Sequence, residues 1–124
     1  MDLILASQST MRRRILNAAR IDAQFMSPQI DEENITKSLI AVQALPRDIA
    51  DTLAEHKALK ISRKNLDSWV IGCDQILVFE GEVFGKPVSP EALKDTLSRF
   101  SGQTHSLVTA NVIYKNGKPQ WRHV

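Results

Sequence analysis

The stretch Leu3-Ile4-Leu5-Ala6-Ser7-Gln8-Ser9-Thr10-Met11-Arg12-Arg13-Arg14 decides how the chain is organised. Leu3–Ala6 is a short apolar run of the kind that makes a buried strand. Ser7 to Thr10 make a small polar turn. The spacing of Met11, Ile15, Leu16 and Ala19 then predicts a helix with one apolar stripe. Ser9 or Thr10 caps its first turn. A strand that ends in hydroxyls and opens into a helix N-terminus presents free N–H groups and the positive end of a dipole. Such a turn binds anions. Arg12 to Arg14 add fixed charge within one helical turn, and an arginine fork suits phosphate oxygens. Two readings follow from these residues alone: a phosphate-binding loop, or a capped surface helix with a solvated basic face.

Composition narrows the class. A chain of 124 residues is long enough for one domain with a real core. A net charge of +2 is too small to argue for nucleic acid, and no aromatic platform accompanies the arginines. Cys73 is the single cysteine, which excludes an internal disulfide framework and fits a reducing cytosol. No apolar run is long enough to span a membrane. A cytoplasmic protein is the expectation.

Further along, Ile21–Met26 reads as a short strand, punctuated by Ser27-Pro28. Ile30-Asp31-Glu32-Glu33-Asn34 carries three acids: a helix start, since acids favour a first turn, or a metal or water site. Pro46 starts a helix that runs to about Ser62. Ala50, Leu53, Ala54, Ala58 and Ile61 are its apolar positions. At about 100° per residue, Lys57 falls in the middle of that stripe. Its ammonium either snorkels to water or emerges into a cleft and meets an anion.

Trp69–Cys73 reads as a central strand and Ile76–Phe79 as a second apolar run, with Asp74-Gln75 between them. Aspartate is depleted from strand interiors, so Asp74 is placed at a strand end as a working carboxylate rather than a local cap. Glu80-Gly81 is a tight turn to Val83-Phe84. Gly85-Lys86-Pro87 puts a point charge in a loop. Ser89-Pro90-Glu91 opens a helix whose expected buried stripe is Leu93, Leu97 and Phe100. His105–Tyr114 reads as a long strand, with His105 in a structural hydrogen bond. Asn116-Gly117 is the strongest hairpin signal. A returning strand is expected from Gln120 to Val124; a chain that stops in the strand it has just turned into looks like part of a longer one.

These pieces, taken in order, resemble the Maf-like nucleotide pyrophosphatases. The resemblance rests on Leu-Ala-Ser-Gln-Ser, Arg12-Arg13, Ile30-Asp31-Glu32, Ala54-Glu55-His56-Lys57-Ala58, Val70–Gln75, Gly85-Lys86-Pro87 and Ser101–His105. It covers nearly all of residues 1–124, read as one domain. It implies an α/β fold, similar to that of the inosine triphosphate pyrophosphatases. A twisted mixed sheet is flanked by helices, with two lobes around a cleft and the second lobe incomplete here. It implies hydrolysis of a nucleoside triphosphate to the monophosphate and pyrophosphate with a divalent cation such as Mg2+ or Mn2+. By the same resemblance Asp74 is the proton acceptor, and Ser7, Arg12, Lys57 and Lys86 hold phosphates or substrate. Asp31 and Glu32 match an acidic motif near the metal. Met11 and Gln75 match the subgroup associated with 7-methyl-GTP.

Two departures stand out. Thr10 and Met11 replace the proline and first arginine of the family's loop, so Arg13 and Arg14 fall outside the motif and are expected to be solvated. The chain is also shorter than family members. A non-catalytic nucleotide-binding regulator of septum formation is the alternative function, separated from the enzyme by turnover. No specific nucleic acid or membrane partner is expected, and the sequence leaves a homodimer open.

Overall fold

A computed structural model describes residues 2–124. The elements run β1 (Leu3–Ala6), α1 (Thr10–Ala18), β2 (Gln24–Met26), α2 (Glu32–Ala41), α3 (Pro46–Ser62), β3 (Trp69–Phe79), β4 (Glu82–Phe84), α4 (Pro90–Phe100), β5 (Ser106–Lys115) and β6 (Lys118–His123). The strands form one mixed sheet in the order β2-β1-β3-β5-β6, with β4 on the same edge of β3 as β1, further along the strand. β1 pairs in parallel with β2 and β3, and the remaining pairs are antiparallel. The α/β fold with a mixed sheet flanked by helices is the one expected. Among the described residues, no helix is long and apolar enough to cross a membrane.

The core lies between α3 and one face of the sheet. Ile49, Ala50, Leu53, Ala54, Ala58 and Ile61 of α3 pack on Ile4, Ala6, Val70, Ile76, Ala110, Val112 and Tyr114. Alternation along the strands puts these sheet residues on one side. Gly72, on that side too, sets how close α3 comes. A Cβ built there would overlap the Ala54 carbonyl oxygen and lie 2.7 Å from Ala58 Cβ. At the far end, Asn116 and Gly117 both have positive φ, as the two-residue hairpin between β5 and β6 requires.

Several expectations need correcting. β3 is continuous through Asp74, because β5 pairs with it from Val70 to Val78. Asp74 therefore sits inside a strand, not at its end. Its other edge explains how: pairing with β1 ends at Gly72 and pairing with β4 begins at Leu77, so Cys73–Ile76 have a partner on the β5 side alone among the described residues. β2 is shorter than Ile21–Met26, and β6 starts at Lys118 rather than Gln120. The α4 stripe is not buried: Leu93 and Leu97 are exposed, and Phe100 alone turns inward to meet Phe79 and Phe84. His105 stacks on Phe100, ring centres 5.2 Å apart, and its side chain makes no hydrogen bond among the described residues. Arg13 and Arg14 are exposed, as expected, and the Arg13 guanidinium also lies 4.7 Å from the centre of the Phe25 ring.

Candidate active site

The C-terminal end of β1 and the stretch of β3 that is paired on its β5 edge alone open into one cleft of about 700 Å³. Ser7, immediately after β1, is buried. Its hydroxyl accepts from Ser9 N at 3.1 Å and from the Arg12 guanidinium at 3.3 Å. Ser9, rather than Thr10, is the N-cap of α1 and accepts from Arg12 N. The polar turn thus folds over the start of α1 and aims Arg12 back across it. The Gln8 amide ties this turn to Ser27 on the opposite wall.

The floor is charged. Lys57 and Asp74 are both more than nine-tenths buried, and Lys57 Nζ lies 2.8 Å from Asp74 Oδ1. The same ammonium lies 2.6 Å from Glu32 Oε1, at the first residue of α2. Lys57 therefore does not snorkel; it bridges two carboxylates. Burial holds the Asp74 carboxyl above the ordinary aspartate range, and the Lys57 hydrogen bond and charge pull it partly back. The close approach of α3 at Gly72, two residues before Asp74, brings this pair together.

The candidate residues are not all in one place. Ser7, Arg12, Glu32, Lys57, Asp74, Gln75 and Lys86 line the cleft. Lys86 makes no ion pair among the described residues. Asp31 is separated from Glu32 by its own work. It is the N-cap of α2, with one carboxylate oxygen on Asn34 N and the other on the Asn34 amide. Met11 lies outside this cleft, in a second cavity under α1 that Gln75 also lines. Among the described residues, no group of three or more His, Cys, Asp or Glu side chains gathers at one point.

A family profile described as Maf-like protein matches residues 2–124. The chain belongs to this family. It is 50% identical over 122 residues to the nucleoside triphosphate pyrophosphatase of Ruegeria pomeroyi, covering 98% of this chain and 61% of that protein. It is 44% identical to the 7-methyl-GTP pyrophosphatase of Brucella suis over the same shares of each chain. The chain thus spans about three-fifths of the length of these relatives.

The sequence reading missed one contributor, Gly72, and did not separate Glu32 from Asp31. Gly72 carries no chemistry, and its signal was the pair of alanines, Ala54 and Ala58, on the helix facing it. Glu32 was read beside Asp31 as one motif; only the helix start that turns Glu32 toward Lys57 separates them.

Proposed function

We propose that this chain is the catalytic part of a nucleoside triphosphate pyrophosphatase, acting on a guanine-type triphosphate such as 7-methyl-GTP. The observation that carries the reading is the buried Lys57–Asp74 pair at the floor of a cleft walled by a helix N-terminus and Arg12. The names of the relatives agree with it.

The chemistry follows from the residues. The triphosphate lies against the α1 N-terminus, with Arg12 and Lys86 from the two walls and Lys57 from below. Asp74 accepts the proton of a water that attacks the α-phosphorus. Its pKa, raised by burial, makes it a better base than an exposed aspartate. The bond between the α-phosphorus and the bridging oxygen breaks, and pyrophosphate leaves. Lys57, close to the reacting centre, neutralises charge where the transition state gathers it.

The residues fit a divalent cation that arrives with the nucleotide. Mg2+ is commonly held by one or two carboxylates plus substrate phosphates. Glu32 offers a half-exposed carboxylate at the cleft, whereas both Asp31 oxygens are committed to Asn34. When bound, such an ion clamps the phosphates and makes water more acidic.

The test is pyrophosphate release by the full-length protein with Mg2+ or Mn2+, comparing kcat/KM for 7-methyl-GTP, GTP, UTP and dTTP. Pyrophosphate and the nucleoside monophosphate are the expected products, with a guanine nucleotide leading. Binding without turnover would favour the non-catalytic regulator. A lead of about tenfold or more for UTP or dTTP, worth about 1.4 kcal/mol, would overturn the guanine preference.

A further inference from the structure

We propose that Lys60 is a positioning residue: it pins the loop between β2 and α2 to α3, and so keeps the Glu32 carboxylate at the cleft for a divalent cation. This rests on the pyrophosphatase reading above, in which the cation arrives with the nucleotide.

Residues Ser27 to Ile30, between β2 and α2, form one wall of the cleft. Glu32 follows them as the first residue of α2. α2 buries none of its residues fully, and the Glu32 side chain is half-exposed. Burial therefore does not fix where this carboxylate points, and the loop that delivers it must. Within the loop Pro28 is buried and Ile30 packs on the core, whereas Gln29 between them is exposed. Gln29 also has a positive φ of 43°. A residue with a Cβ reaches that region at some cost, and it stays there when its surroundings impose it. Lys60 supplies the constraint, because its ammonium donates to the Gln29 carbonyl oxygen. The Gln8 amide holds the other end of the loop at Ser27.

Spacing makes the tie specific. Lys57 and Lys60 are three positions apart on α3, so they share a face. Gln29 and Glu32 are three positions apart as well. The two lysines meet this segment at two points: Lys57 at the Glu32 carboxylate, 2.6 Å away, and Lys60 at the Gln29 carbonyl. The two points respond differently to substrate. Lys57 also holds Asp74 and lies under the phosphates, which draw on its charge when a triphosphate binds. Its contact with Glu32 then weakens, at the moment when Glu32 serves the cation. Lys60 does not line the cleft and makes no ion pair among the described residues. Its hold on Gln29 is kept when nucleotide enters. Lys60 touches no reacting atom and acts through Glu32 alone.

The experiment compares full-length wild-type protein with Lys60→Met and Lys60→Arg. Lys60 is exposed, so both variants keep the core. Hydrogen exchange reads the loop without metal or nucleotide. Peptides covering residues 27–35 should exchange about fivefold faster in Lys60→Met, the size of one hydrogen bond. The Mn2+ concentration that half-saturates GTP turnover should also rise about fivefold, with KM for GTP at saturating Mn2+ unchanged. The direction is diagnostic, because losing a positive charge would by itself strengthen cation binding. Lys60→Arg keeps the charge and the donors and should restore both readouts. Unchanged exchange in Lys60→Met overturns the tie. Faster exchange with an unchanged or lower Mn2+ requirement makes Lys60 purely structural and overturns its role toward the cation. Absence of turnover in wild-type protein overturns the pyrophosphatase reading, and the cation role with it, whatever the exchange shows.

Discussion

Helices α3 and α1 lie against opposite faces of one sheet, and they are built in opposite ways. α3 buries eight residues, a lysine and a serine among them, while α1 buries none. Yet α1 has the cleaner apolar stripe, and its Met11 and Ile15 are exposed. The difference teaches that a stripe does not decide which helix makes the core. Close approach decides it. Ala54 and Ala58 let α3 settle onto Gly72, and that contact excludes water from the Lys57–Asp74 pair. The α1 face keeps room beside the strands, which suits a ligand rather than a core.

If the chemistry belongs to the α3 face, the largest effect comes from Asp74. Asp74→Asn keeps the shape and removes the base. Pyrophosphate release should fall by about 10²–10⁴ with the fold retained. A folded variant turning over at the wild-type rate would move the chemistry elsewhere.

Gly72→Ala tests the close approach itself. One added methyl must push α3 away from the sheet, because its neighbours are backbone and a short side chain. Overpacking of this kind costs about 1–3 kcal/mol, read as a lower melting temperature and denaturation midpoint. Unchanged stability would mean that α3 is not held as tightly as the packing indicates.

The same contrast explains what the sequence revealed. The β1–turn–α1 unit, the α3 bounds and the Asn116-Gly117 hairpin were legible because each rests on local chemistry: caps, a proline at the helix start, two residues with positive φ. Lys57 was legible as an anomaly on an apolar stripe, but its partners were not. Glu32 and Asp74 are 25 and 17 positions away in the chain, and only the fold brings them together. The continuity of β3 through Asp74 was hidden because local preference opposes an aspartate in a strand, while pairing to β5 overrides it. The stripe of α4 misled because Leu93 and Leu97 are apolar yet exposed in this structure.

A smaller effect separates burial from pairing at the site. Burial raises the Asp74 pKa above 3.8, so between 3.8 and its folded value the native state holds more of this proton than the unfolded chain does. Stability then falls as pH rises through that window. Asn has no such ionisation. The melting temperature of Asp74→Asn relative to wild type, in metal-free buffer, should therefore climb from acid toward neutral pH and then level off. A relative decline over that range would show the Lys57 ion pair outweighing the burial that opposes it.

The smallest effect lies on the open face. Ile15→Ser removes a large apolar side chain from the middle of α1. On α3 the corresponding change, Ile49→Ser, would open a cavity and bury a hydroxyl, a change of several kcal/mol. Ile15 already meets water along most of its surface, with a relative exposure of 63%. Little apolar area is lost from burial, so the transfer term that dominates core substitutions is nearly absent. Serine is also only slightly worse than isoleucine or equal to it within a helix. The expected change in unfolding free energy is within about 0.5 kcal/mol, measured by urea denaturation without nucleotide. A large loss without nucleotide would instead mean that this face is covered in solution, and that the two sides of the sheet are more alike than their packing shows.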